Sequence, residues 1–89
     1  MKWSVDFSSR SLKFIAGNHI SEEEISEKVR LVLCKFSGEA VSVDVRKLKG
    51  KWAGFYRIRS GNLRIIAAFY FELKEVFIDV IDWRGNAYK

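Results

Sequence analysis

The stretch Phe55-Tyr56-Arg57-Ile58-Arg59-Ser60-Gly61-Asn62-Leu63-Arg64-Ile65-Ile66 decides the fold, because it reads as two strands joined by a tight turn. Side chains alternate across a strand, so Phe55, Arg57 and Arg59 face one way and Tyr56 and Ile58 the other. Ser60-Gly61-Asn62 is the turn, with glycine supplying the positive φ angle. The return strand runs from Leu63 to Phe71, and Glu72-Leu73-Lys74-Glu75 connects it to a third strand, Val76 to Asp82. Together these segments make an antiparallel meander.

Working back from this hairpin, Val41, Val43 and Val45 alternate and predict a short strand that leads into a basic loop, Arg46 to Lys51. Before it stands the clearest helix in the chain. Ser21 and Glu24 form a capping box, and Glu22, Glu23 and Glu24 favour the positive end of the helix dipole. Ile25, Val29, Val32 and Phe36 recur at helical spacing, and Gly38 supplies the stop. A small sheet needs a helix to cover one face, so this stripe reads as core. Ahead of it, Ser8, Ser9 or Ser11 caps a shorter helix that brings Leu12 with Ile15 or Ala16 onto one face and ends at Gly17-Asn18. Trp3, Val5 and Phe7 alternate with Ser4 and Asp6 as a half-buried first strand. The expected architecture is α+β: an N-terminal strand, a two-helix hairpin, then an antiparallel sheet of three to four strands.

A chain of 89 residues has the length for one hydrophobic core, so residues 1–89 form a single domain. Hydrophobic residues make up 48% and aromatics 15%, enough to separate this chain from the disordered class. No run approaches the roughly 20 apolar residues of a membrane span, and Met1-Lys2-Trp3-Ser4-Val5-Asp6 lacks the apolar run of a secretory signal. Cys34 is the only cysteine, which makes a reducing cytoplasm the default location, and within a helix it reads as a small packed residue. His19 has no Cys or His partner at ligand spacing, so it reads as a loop or cap residue and no metal site or cofactor is expected.

The formal net charge is +5, and its distribution is uneven. Residues 46–71 carry Arg46, Lys47, Lys49, Lys51, Arg57, Arg59 and Arg64 with no Asp or Glu, whereas the segments on either side are each net −1. Such a concentrated positive field attracts a polyanion and speeds its encounter. Arg57 and Arg59 lie two apart on a strand, so their guanidinium groups project from one face roughly 7 Å apart. The short turn brings Arg64 close, on a face that the strand register decides. Near the C-terminus stand Arg84 and Tyr88. Arginine offers a planar fork suited to phosphate and stays charged at any working pH. Two readings of this spacing stay open: a phosphate-binding cluster, or the wet face of a half-exposed sheet with the arginines paired to Glu72, Glu75 or Asp79. Trp52 and Trp83 beside the cations read as core aromatics or as stacking platforms. No His-Glu-x-x-His, no glycine-rich phosphate loop and no Ser/His/Asp trio is present, and a single His excludes a two-histidine ribonuclease from this chain alone.

The run Lys47-Leu48-Lys49-Gly50 followed by Tyr56-Arg57-Ile58-Arg59-Ser60-Gly61-Asn62-Leu63-Arg64-Ile65-Ile66 resembles the RelE/ParE toxin superfamily. Val80-Ile81-Asp82-Trp83-Arg84-Gly85-Asn86-Ala87-Tyr88 resembles that superfamily's terminal R-x-x-x-Y. The resemblance spans the whole chain and implies a toxin of a type II toxin–antitoxin pair, held by a cognate antitoxin. In the RelE branch the toxin enters the ribosome and cuts mRNA without metal, the 2′-hydroxyl attacking the adjacent phosphate. Carried over by position, Arg57, Arg59, Arg64, Arg84 and Tyr88 become the catalytic set, and Arg46, Lys47, Lys49 and Lys51 the RNA-binding set. Some RelE-type nucleases carry lysines where this chain has Arg57 and Arg59. An arginine keeps the electrostatic role and weakens that of a proton donor or acceptor. The RelE-like nuclease is the favoured reading; the alternatives that the resemblance admits are a ParE-like inhibitor of DNA gyrase, or a relative without toxicity whose basic face pairs with an acidic partner. An acidic or amphipathic antitoxin segment is expected over the 46–64 surface or its adjoining sheet edge.

Overall fold

Alternating apolar residues in the second half of the chain place three successive strands side by side, and the two amphipathic helices of the first half cover one face of them. The computed structural model describes residues 2–84. In chain order these form β1 (Ser4–Phe7), α1 (Ser9–Gly17), α2 (Glu22–Phe36), β2 (Asp44–Lys47), a single 3-10 turn (Gly50–Trp52), β3 (Phe55–Ser60), β4 (Leu63–Tyr70) and β5 (Glu75–Trp83). The sheet order is β1-β5-β4-β3-β2. All pairings are antiparallel except β1 with β5, so the first strand joins as a parallel edge and the sheet has five strands, with β2 as its fourth meander member.

Each helix begins where its cap residue dictates. The Ser21 hydroxyl accepts the Glu24 amide while the Glu24 carboxylate accepts the Ser21 amide, the reciprocal box expected from the sequence. Ile25, Val29 and Val32 of α2 are fully buried against Ile58, Ile65, Ala67 and Ile78 of the sheet. Phe36, the fourth member of the stripe, is 37% exposed and instead joins an aromatic cluster with Tyr56, Phe69 and Phe71. Gly38 follows the helix at φ 91°, a conformation that costs glycine little.

In α1 the buried face includes Ile15, as expected, but is otherwise shifted. Ser11 and Ile15 are buried, while Leu12 is 39% exposed and Ala16 is exposed. The reason lies in the cap, which is fixed from outside the helix. Ser8 Oγ donates to the Asp79 carbonyl at 2.6 Å, and Ser11 Oγ lies within bonding distance of the Ser8 and Ile78 carbonyls. That network turns the Ser11 and Ile15 side toward β5, a rotation that helical spacing alone cannot set.

A bulge in β5 matters more for the opposite face. Ile66 pairs with Val80 but Ala67 pairs with Ile78, leaving Asp79 as the extra residue. Ile78 and Ile81, three apart, thereby both enter the core, and Val80 and Asp82 are delivered to the face away from the helices. Asp79 itself faces Arg10, with a 3.1 Å ion pair. Among the described residues, no helix is long and apolar enough to cross a membrane.

Candidate phosphate-binding site

The strand registers fix which cations meet. On the helix-free face, one cross-strand row runs Arg46, Arg57, Ile66 and Val80, from β2 to β5. The next row runs Asp44, Arg59, Arg64 and Asp82. Neighbouring strands lie about 4.8 Å apart, so each row places its side chains within reach of one another. Arg46 and Lys47, expected in a loop, belong to β2 because they pair with Arg57 and Tyr56, and the strand begins at Asp44 rather than at Val41. This change gives Arg46 a defined side, that of Arg57.

A cavity of about 500 Å³ opens on this face, lined by Arg46, Leu48, Trp52, Arg57, Arg64, Ile66 and Val80. Leu48 and Trp52 come from the segment between β2 and β3, which folds back on itself. The Leu48 amide donates to the Phe55 carbonyl at 2.9 Å, and Gly50 and Gly54 take the positive φ values, 67° and 92°, that the reversal requires. Trp52 packs edge-on against Phe55 with centroids 5.3 Å apart. Neither Trp52 nor Trp83 belongs to the main core. Trp52 lines the cavity, and Trp83 is 37% exposed and packs on Phe14.

Arg57 is the deepest cation, with 8% of its side chain exposed. Its Nη2 donates to Asp44 Oδ1 at 3.0 Å, and its Nε is buried with no hydrogen-bond partner among the described residues. The counter-ion is thus Asp44. Glu72 is exposed in the β4–β5 turn, Glu75 pairs with Tyr70 at the far end of that hairpin, and Asp79 is engaged by Arg10, so the acidic partners expected from the sequence do not serve Arg57. Arg59 and Arg64 are half-buried and stand directly opposite each other. Arg84 lies elsewhere: its amide donates to the Asn62 carbonyl at 2.7 Å and its Nη1 to the Gly61 carbonyl at 3.1 Å, at the tip of the β3–β4 hairpin. Lys47, Lys49 and Lys51 are exposed, and Lys47, paired with Tyr56, takes the face of β2 opposite to that of Arg46. Tyr88 lies outside the described residues.

Three guanidinium groups above an apolar floor have the chemistry to suit a phosphate-bearing ligand with apolar parts. Charge stabilisation is the chemistry these side chains supply, since the seven described lining residues include no His, Lys, Tyr, Asp or Glu. Among the described residues no group of three or more His, Cys, Asp and Glu side chains is placed to hold a metal ion. Asp44, Leu48, Ile66 and Val80 were not singled out by sequence reasoning. The signal for Asp44 was present in the alternation Asp44-x-Arg46, which puts an acid and a base on one face of the edge strand.

No protein-family model and no curated protein sequence matches the chain. Solved structures do. The archaeal RelE–RelB complex from Pyrococcus horikoshii contains a chain 24% identical, covering 98% of this chain and 100% of its own length at a TM-score of 0.65. The DinJ–YafQ toxin–antitoxin complex of Escherichia coli matches at 11% identity, 100% of both chains and a TM-score of 0.66. The RelBE2 toxin–antitoxin complex of Mycobacterium tuberculosis matches at 20% identity, 94% and 93% coverage and a TM-score of 0.60. At these identities it is the fold that is shared, over nearly the full length of each chain. The protein has the fold of the RelE-type toxins.

Proposed function

We propose that this chain is the toxin of a toxin–antitoxin pair and acts in the cytoplasm as a ribosome-dependent endonuclease of mRNA. The observation that carries the reading is the convergence of Arg46, Arg57 and Arg64 on one cavity, on the face of the sheet that the helices leave open. A phosphodiester drawn to that cavity meets guanidinium forks on two sides. When a 2′-hydroxyl gives up its proton and attacks the adjacent phosphate, negative charge grows on the phosphorane oxygens until the P–O5′ bond breaks and the 5′-oxygen leaves with a proton, and Arg57 and Arg64 stabilise that charge. Arg59, beside Arg64, deepens the same field. Lys47, Lys49 and Lys51 hold the flanking backbone of the RNA. Arg84, braced on the hairpin tip, and Tyr88 complete the set that the family resemblance assigns. Tyr88 supplies the hydroxyl-orienting or base-stacking role that the described cavity residues do not.

The neighbours crystallised as complexes with RelB and DinJ support a cognate antitoxin as the resident partner. An acidic or amphipathic segment of it would cover the 46–64 surface or the free edge of β2. A second reading, a ParE-like inhibitor of DNA gyrase, draws on the same observation from the other side: the described lining holds cations but no proton-transfer group. The two readings part in one experiment. Primer extension on transcripts from induced cells is expected to show cuts within translated codons, and Arg64→Ala to reduce cleavage about 100- to 1000-fold, the scale of losing one electrostatic stabiliser. Intact messages during growth arrest, together with altered plasmid supercoiling by purified gyrase, would replace the nuclease reading with the inhibitor.

A further inference from the structure

The Arg57–Asp44 pair joins two very unlike environments. The arginine side chain is 8% exposed and the carboxylate 55% exposed. Asp44 lies on the edge strand β2, in register with Arg59, and reaches diagonally across the sheet to Arg57. A guanidinium set this deeply requires a counter-charge, and the protein provides one from its rim. The arrangement is nevertheless incomplete, because one Arg57 donor, Nε, is buried and unsatisfied among the described residues. Among the described residues Arg57 is therefore held by one bond to Asp44, short of its full hydrogen-bonding capacity, inside the cavity it shares with Arg46 and Arg64.

Resting on the phosphate-site reading above, we propose that Asp44 is a built-in competitor for the ligand: a phosphodiester engages Arg57 only by displacing the Asp44 carboxylate. The physical reasons are charge and accessibility. A phosphate and the Asp44 carboxylate, both bound to one guanidinium, stand close enough to repel each other. Of the two anions, Asp44 is the one free to move, being more than half exposed on an edge strand, and water solvates it when it leaves. An incoming phosphate also offers several acceptor oxygens where Asp44 uses one, so the exchange lets Arg57 form a two-pronged contact. Asp44 thereby offsets the charge of Arg57 in the resting site and selects against weaker anions, which cannot evict it.

The alternative role for Asp44 is positioning, in which it holds Arg57 in the orientation that the ligand needs, and the two roles predict opposite signs. The test uses the full chain and a short fluorescein-labelled single-stranded oligonucleotide with 2′-deoxy sugars, which binds without being cut, followed by fluorescence anisotropy. Asp44→Asn preserves the shape and the acceptor oxygen but removes the charge. Competition predicts binding about two- to fourfold tighter, together with an unchanged or lower melting temperature. In an Arg57→Ala background the same substitution should give no gain, because the gain acts through that guanidinium. Weaker or unaltered binding by Asp44→Asn overturns the proposal in favour of positioning, and an equal gain in the Arg57→Ala background overturns it in favour of a general charge effect. Failure of the underlying site reading looks different: Arg57→Ala and Arg64→Ala would then leave oligonucleotide binding intact.

Discussion

Replacing Arg57 with methionine should make the protein more stable and less able to bind its ligand. The side chain is 8% exposed, and its buried Nε has no partner among the described residues. An unsatisfied buried donor costs about 1–3 kcal/mol. What the arginine recovers is one ion pair with a carboxylate 55% exposed, and solvent screening leaves such a pair worth about 0.2–1 kcal/mol. Methionine keeps an unbranched apolar stem in the same slot and carries no donor. Asp44 is not stranded by the change, since it is exposed and stands opposite Arg59. The balance favours the variant by about 1 kcal/mol, which for a domain of this size raises the melting temperature by about 4–8 °C. Binding moves the other way. A hydrogen bond to a charged group is worth about 1.5–3 kcal/mol, so oligonucleotide affinity should fall roughly 10- to 150-fold. Thermal unfolding followed by circular dichroism and anisotropy binding on the same preparations measure both. A melting temperature lowered by several degrees would refute the ledger for the buried guanidinium. Undiminished binding by a folded variant would refute the assignment of Arg57 to the site.

Two further substitutions probe the face that carries the helices. Ser21→Ala removes one half of the capping box at α2 and should cost about 1 kcal/mol, seen as a melting temperature lower by about 4–8 °C with oligonucleotide binding unchanged. Ile25→Ala empties a fully buried position between α2 and the sheet and should cost about 2–5 kcal/mol. Its urea midpoint should drop while the slope of the transition stays constant, which distinguishes a lost core contact from a change in the unfolded state.

How much could be read in advance varies along the chain in a physically consistent way. The capping box, the stripe Ile25-Val29-Val32 and the Gly61 turn are local devices, and each stands where its residues placed it. Local devices fail where a distant partner sets the outcome. Helix α1 is set by bonds from Ser8 and Ser11 to β5, about 70 positions away in sequence, so Ile15 is buried as its spacing implies but beside Ser11 instead of Leu12. Strand β2 was read two to three residues too early because its valines alternate from Val41, whereas its length is decided by what β3 offers as partners, Arg59 to Tyr56. The parallel docking of β1 on β5 has no local signature at all.

The arginines themselves were legible as a concentration of charge with no acid among them, and the alternation in β3 put Arg57 and Arg59 on one face. Which of them lines the cavity was not, because that depends on register. Pairing of Ile66 with both Arg57 and Val80 fixes the floor of the site, and the bulge at Asp79 is what brings Val80 to that face. Composition and periodicity determined the class of fold and the sign of the surface, since both follow from the order of residues along one strand or helix. Tertiary structure alone decided that Arg46 joins Arg57 and Arg64, that Asp44 neutralises the deepest of them, and that Arg84 braces the hairpin tip instead. Those are relations between strands, and the registers that create them are set by the burial of the opposite, apolar face.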